Sequence, residues 1–327
     1  MGRIPQFDLT EEMMQLVSEI SELIGSIKIV DNLEKFPRLR RINRIRSIHS
    51  SLAIEDNKLT IGQVTDIIDG KRILGPPGEI LEVKNASDAY KELENIDPFD
   101  MKDMLRTHKA MMKGLVGECS KLRSVNVGVV TGSGKVIHRA PKSDIVLSMM
   151  KDLFEWLKGS KTHELIRSCV FHYEFEFIHP FCDGNGRMGR LWQTAILMRW
   201  RPVFAWIPIE SIVRKHQQEY YDAILNSTTA GRSNEFIVFM LKATLDAVKE
   251  VAFEAEHHMN HINARVKRLL DVMGSYALSA TELMERLDLR SRKTLYYNYL
   301  QPAMDAGLVK MTDPDRPTSR NQMYVKK

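Results

Sequence analysis

The chain has 327 residues, 43% hydrophobic, 27% charged and 8% aromatic, with a formal charge of +5. At roughly 150 residues per domain this is about two domains of ordinary soluble composition, and the mild basicity permits an anionic ligand without demanding one. Nowhere do 18 apolar residues run together free of charge, which excludes a helical membrane span. The three cysteines (Cys119, Cys169, Cys182) form no C-x-x-C pair and, with no apolar leader in MGRIPQFDLT, predict a reducing, cytoplasmic setting.

The first 35 residues read as helix, because Leu9, Met13, Leu16, Val17, Ile20 and Leu23 recur near a 3.6-residue period. Basic charge follows in PRLRRINRIR (37–46), then a hydroxyl-rich stretch, SIHSSLAIEDNKLT (47–60), a short helix ending at Gly70, and a loop at Pro76-Pro77-Gly78. Residues 81–118 are expected to be helical apart from a break at Asp97-Pro98. Two β-branched runs around Gly132, Ser133 and Gly134 (124–141) predict a hairpin closed by Pro141. Helices are expected at 144–159, 163–178, 191–200, 209–226 and 233–260. The last 60 residues predict three short helices and two strands around a Pro-containing basic turn, the order of a winged helix-turn-helix.

Between two of these apolar helices lies the densest polar loop of the chain, HPFCDGNGRMGR (179–190). Gly184, Gly186 and Gly189 allow close backbone approach, and Arg187 and Arg190 offer forked donors suited to phosphate oxygens. Asn185 adds an amide, Asp183 can hold a hard divalent cation bridged to phosphates, and His179 can act as a general base. The following helix presents its N-terminal amides to an anion. These are the parts of a magnesium–polyphosphate site beside a base. The loop contains no Walker A sequence, and Gly184-Asn185-Gly186 lacks the strand context of a dinucleotide fingerprint.

His179, Pro180, Phe181, Asp183, Gly184, Asn185, Gly186, Arg187 and Arg190 match H-P-F-x-[DE]-G-N-G-R-x-x-R, and on these residues the chain resembles the Fic domain family. The resemblance implies a mainly α fold: a Fic-type helical core with a β-hairpin flap, and after it the winged helix-turn-helix domain. The division then expected is an N-terminal helical region (1–100), a catalytic core (101–260) and a winged-helix domain (261–327). It implies AMP transfer from ATP to a Ser, Thr or Tyr hydroxyl of a target protein. His179 would deprotonate the hydroxyl, Asp183 would hold Mg²⁺, and Asn185, Gly186 and Arg187 would cradle the phosphates with Gly184 and Gly189 nearby. Arg190 would bind the γ-phosphate, Phe181 would bury itself to fix the loop, and Tyr220 would lie near the adenine. The 126–138 hairpin resembles a flap that clamps the target segment by strand addition.

The stretch from Ser51 to Asn57 resembles the [ST]-x-x-x-E-[GN] inhibitory motif that precedes many Fic cores. Ser51 and Glu55 share a helix face at i,i+4; the resemblance implies that Glu55 pairs with Arg190 and blocks γ-phosphate placement. Asp56 departs from the usual Gly or Asn, with Asn57 following it.

The remaining candidates receive structural readings. His172 is read as a packed, hydrogen-bonded side chain, Cys182 as a bystander, and His257, His258 and His261 as part of a solvated linker helix. Arg290, Arg292 and Lys293, with Arg316, Arg320, Lys326 and Lys327 on the wing, fit DNA phosphates. Tyr296, Tyr297 and Tyr299 are bulky for base reading and favour protein contact over DNA. Alternatives to AMP transfer are AMP removal, with Glu55 orienting a water, a DNA-binding regulator with a nucleotide-sensing core, and transfer of another phosphate-containing group. A homodimer is compatible with all of these.

Overall fold

Thr10 starts the first helix, its hydroxyl accepting the Met13 N–H, so α1 (Glu11–Gly25) begins ten residues later than the periodicity suggests. The computed structural model describes residues 3–25, 37–117, 121–130, 136–274, 276–317 and 319–326, and leaves out the side chains of 37–38, 129–130, 136–139 and 257–263. Cys119, the hairpin turn at 132–134, Lys327 and the side chains of His257, His258 and His261 therefore lie outside the described residues. The chain folds as two compact units, 1–251 and 252–327.

In the first unit, α2 (Pro37–Ile54), α3 (Ile61–Ile68), α4 (Pro77–Lys91) and α5 (Met101–Met111) lead into strands β1 (Gly128–Val130) and β2 (Val136–Arg139). The strands pair antiparallel, Gly128 opposite Arg139 and Val129 opposite His138, with a register shift at Val129/Val130. Then follow α6 (Val146–Gly159), α7 (Glu164–Ile178), α8 (Asn185–Trp200), α9 (Ile209–Lys215), α10 (Gln217–Ala230) and α11 (Asn234–Val272). Helix α11 runs further than expected because neither Gly nor Pro interrupts 234–272.

Helices α7 and α8 are buried almost all round, as helices without a polar face must be. They form the centre of a core with Phe171, Phe175, Phe181, Trp192 and Phe154. Putting such helices at the centre also buries Glu174, Glu176, Arg187 and Arg190, and buried charge is tolerated only when it is paired or neutralised. Glu174 finds Arg3 at 3.0 Å; the other three belong to the site.

In the second unit β3 (Leu278–Ser279) precedes α12 (Ala280–Leu287), whose N-cap Ser279 forms a capping box with Glu282. Next come α13 (Arg292–Leu295), a π-helical segment Tyr296–Leu300, and α14 (Gln301–Asp305). The wide turn accommodates Pro302, which offers no N–H and would crowd the carbonyl of Asn298 in a regular helix. Strands β4 (Val309–Met311) and β5 (Met323–Lys326) complete a three-stranded antiparallel sheet in the order β3-β5-β4, one strand more than expected. A two-residue strand is too short to show alternation.

Candidate active site

Helix α7 ends at His179, which sits in the left-handed region (φ 50°) and returns its N–H to the Phe175 carbonyl at 2.9 Å. This turns the imidazole out of the helix line while keeping 18% of its side chain exposed. Phe181 is fully buried with its ring 3.6 Å from that of His108 and nearly parallel to it. His108 also contacts the Asp183 carbonyl at 3.0 Å, and burial lowers its pKa, so it packs as a neutral ring. Arg123 holds the other side. Its backbone N–H donates to the Pro180 carbonyl at 2.8 Å, and its guanidinium to the carbonyls of His179 (2.8 Å), Val125 (2.8 Å), Ile178 (3.3 Å) and Pro141.

Helix α8 starts inside the polar loop, at Asn185, six residues before the apolar run suggests, because Gly184 takes φ 81° and turns the chain into its first turn. A Cβ at Gly184 would also meet the Met112 sulfur at 2.5 Å. The Asn185 amide is spent on the loop: Oδ1 accepts the Phe181 N–H at 2.9 Å and Nδ2 donates to the Phe181 carbonyl at 2.8 Å. Its side chain therefore shapes the cradle, and what it can offer an anion is its backbone amide at the helix N-terminus.

Arg187 bridges two carboxylates, Glu82 at 3.1 Å and Asp183 at 3.2 Å. Glu82, from α4, also accepts from Asn57 Nδ2 at 2.8 Å. Arg190 is 3% exposed and meets the end of α2: Nε to the Ser51 hydroxyl at 3.1 Å, Nη2 to the Ser51 carbonyl at 2.9 Å and to Glu55 Oε1 at 2.7 Å. The Glu55 carboxylate also covers the first turn of α8, since a Cβ on Gly186 would collide with Oε1. Electrostatically this is where an anion belongs, and Glu55 is the anion present.

Helix α2 ends in a Schellman motif that aims Glu55. The Asn57 N–H reaches the Leu52 carbonyl, the Asp56 N–H reaches that of Ala53, and Asp56 itself adopts φ 67°. Asn57 anchors the exit through Glu82 and the Glu79 carbonyl. Gln217 and Tyr221 both donate to the Ile54 carbonyl.

The structure thus brings His179, Asp183, Gly184, Asn185, Gly186, Arg187, Gly189 and Arg190 together with Ser51 and Glu55. Tyr220 is the exception. It is 2% exposed, its ring lies among Phe236, Phe239 and Tyr221, and its hydroxyl contacts His172 Nε2 at 3.1 Å. That makes it a core residue here, set apart from the other residues of the site. His172 is fully buried between Gln193 (2.7 Å) and Tyr220, as expected of a packed histidine. Cys182 is exposed. In the second unit Arg290, Arg292, Lys293, Arg316, Arg320 and Lys326 are exposed, as is Tyr297, whereas Tyr299 is buried.

Four residues at the site stand outside the sequence motifs: Glu82, His108, Arg123 and Glu176. Only Glu176 carries a sequence signal, a carboxylate in the middle of the apolar run FHYEFEFI. A candidate cation ligand is Asp183, whose side chain is 56% exposed beside Arg187. Among the described residues no group of three or more His, Cys, Asp or Glu could hold a metal alone. A lone exposed carboxylate next to a phosphate cradle fits Mg²⁺, which keeps waters and shares its shell with substrate phosphates. Among the described residues no helix is long and apolar enough to cross a membrane.

Residues 98–197 match the Fic/DOC family, and residues 264–325 match a family described as "Filamentation induced by cAMP protein Fic-like, C-terminal domain". The chain is similar to a Fic family protein of known crystal structure from Desulfovibrio desulfuricans G20. The two are 44% identical with a TM-score of 0.76, covering 99% of this chain and 98% of that one. It is also similar to proteins named protein adenylyltransferase Fic from Culex quinquefasciatus and protein adenylyltransferase fic-1 from Caenorhabditis elegans. The first is 31% identical over 251 residues, 72% of this chain and 47% of that protein. The second is 27% identical over 231 residues, 65% of this chain and 42% of that protein. The chain thus spans about half the length of these relatives.

Proposed function

The chain belongs to the Fic family, and from that premise we propose that it is a Mg²⁺-dependent protein adenylyltransferase, transferring AMP from ATP to a Ser, Thr or Tyr hydroxyl of a target protein and of itself, held at low activity by Glu55. The observation that carries this reading is the Arg190 contact set. A buried arginine in the second turn of α8, in the same polar loop-and-helix segment as His179, is occupied by the Ser51 backbone and hydroxyl and by a carboxylate at 2.7 Å. An arginine so placed suits a phosphate, and a carboxylate there excludes one.

In this reading His179 takes the proton of the incoming hydroxyl. The amides of Asn185 and Gly186 and the guanidinium of Arg187 hold the phosphates, which asks Arg187 to exchange Glu82 or Asp183 for phosphate oxygens. Asp183 would hold Mg²⁺, which when bound neutralises phosphate charge and orients the leaving group. Arg190 takes the γ-phosphate once Glu55 withdraws, so the α-phosphorus comes in line with the hydroxyl. The β1–β2 strands would align the target segment by strand addition. The second unit is assigned to protein contact in preference to DNA, because exposed Tyr297 and half-buried Tyr296 stand on the helix that would read bases.

The test compares ATP labelled at the α-phosphate with ATP labelled at the γ-phosphate on wild type, Glu55→Gly and His179→Ala. Expected is α-label retained on protein and no γ-label, raised about 5- to 150-fold by Glu55→Gly and lowered about 10²- to 10⁴-fold by His179→Ala in that background. Equal incorporation in wild type and Glu55→Gly would overturn the brake, and γ-label on protein would overturn AMP transfer.

A further inference from the structure

Glu176 lies one helical turn before His179 and one after His172, on the buried side of α7. Its side chain is 7% exposed. Oε2 stands 3.8 Å from His179 Nδ1, and Oε1 stands 3.8 Å from His172 Nε2 with no hydrogen-bond partner. Space for this carboxyl exists only because residue 189 is glycine: a Cβ there would lie 2.8 Å from Oε1 and 2.9 Å from the His172 ring. A buried carboxyl aimed at the back of the proposed base has no role in the steps above.

Its protonation follows from its neighbours. The Gln193 amide is oriented by its contact with the Cys169 sulfur, so Oε1 faces His172 Nδ1 and accepts its N–H. His172 Nε2 is therefore a lone pair, already accepting from the Tyr220 hydroxyl. Burial takes His172 down to about 3, so it supplies no positive charge. That ring edge, already engaged by Tyr220, gives Oε1 neither an N–H to accept nor a positive charge, so it does nothing to stabilise an anionic oxygen there. Burial pushes Glu176 to about 8, Glu55 adding to the rise and Arg190 opposing it. The groups facing the carboxyl are thus His172 and His179 on its own helix, Arg190 on α8, Glu55 after α2, and Tyr220 and Tyr221 on α10.

We infer that Glu176 is the positioning residue of His179: protonated on Oε1, it accepts the His179 Nδ1–H through Oε2 and so leaves Nε2 as the lone pair that receives the hydroxyl proton. Closing the 3.8 Å separation to hydrogen-bond length takes a shift of about 1 Å, within what such contacts tighten on substrate binding. The inference rests on the reading of His179 as the base. A neutral acid in this role is mimicked by an amide, whose oxygen accepts as Oε2 does and whose NH₂ replaces the Oε1 hydroxyl.

The test uses the full chain carrying Glu55→Gly, with Glu176→Gln and Glu176→Leu added, and has two readouts. The first is transfer kinetics: Glu176→Leu is expected to lower kcat about 10- to 100-fold at unchanged KM for ATP, and Glu176→Gln to stay within about threefold, losing the inflection near pH 8 of its parent. The second is the ¹⁵N spectrum of the His179 ring: Nδ1–H in the parent and in Glu176→Gln, a tautomer mixture in Glu176→Leu. Full kcat in Glu176→Leu, or equal losses in both variants, overturns the inference. So does an Nε2–H tautomer in the parent, a result that needs no folded Leu variant. If the parent transfers no AMP, the proposed activity fails and the ring spectrum still decides the role of Glu176.

Discussion

Gly189 and Glu176 occupy one small space between α7 and α8, and each limits what the other can be. Gly189→Ala places a methyl 2.8 Å from Oε1, against two central helices that cannot separate cheaply. The expected cost is about 1–3 kcal/mol of stability, read as a shift in denaturant midpoint with unchanged slope; an unshifted midpoint would mean the helices give way freely. Glu176 adds a pH dependence. Folded, its carboxyl keeps a proton up to about 8, against an ordinary value of 4.5. The folded state then binds more protons than the unfolded state between those values, so stability falls as pH rises through that window. Glu176→Gln removes the loss. Its Tm advantage over wild type should grow from pH 5 to pH 8, measured by calorimetry; a pH-independent difference would contradict the burial argument.

At the scale of elements, the decisive piece is the end of α2. Its Schellman turn sends the backbone through φ 67° at Asp56, a conformation that costs an ordinary residue and suits Gly or Asn. This gives a physical reason for the Gly or Asn of the motif that residues 51–57 resemble, and identifies Asp56 as the residue that departs from it. Asp56→Gly is expected to stabilise the turn by about 0.5–1 kcal/mol and, by holding Glu55 on Arg190, to lower basal AMP incorporation roughly two- to fivefold. Higher basal incorporation would show that the turn does not set the brake. Asn57→Ala acts oppositely: without the amide on Glu82 and the Glu79 carbonyl the exit of α2 loosens, and incorporation should rise.

At the scale of the molecule, every residue assigned to the site lies within 1–251, the first of the two compact units. A chain ending at residue 251 and carrying Glu55→Gly is therefore expected to fold and to retain self-modification, measured as α-label on the truncated protein. Loss of incorporation in a folded truncation would assign part of the catalytic apparatus to 252–327. For that second unit, protein contact predicts no salt-dependent affinity for duplex DNA, whereas phosphate binding would weaken steeply as salt rises.

The polar loop was legible because its chemistry is local. His179, Asp183, Arg187 and Arg190 fall within twelve residues of contiguous sequence, and glycines at 184, 186 and 189 announce a tight turn without help from the rest of the chain. The helices around it were legible from apolar spacing, with errors where a cap decides the start, as at Thr10 and Gly184. What sequence could not supply depends on which distant side chains share a volume. The burial of Tyr220 is one such case, because α10 turns it onto His172. Glu82, His108 and Arg123 come from elsewhere in the chain to clamp the loop. Glu176 acquires its character only from being enclosed. Sequence by itself determined the residue types of the site, their local spacing and the face shared by Ser51 and Glu55. Tertiary structure alone decided which carboxylate meets which arginine and which carboxyl is buried, because ion pairing and desolvation depend on neighbours that the fold, and not the chain order, selects.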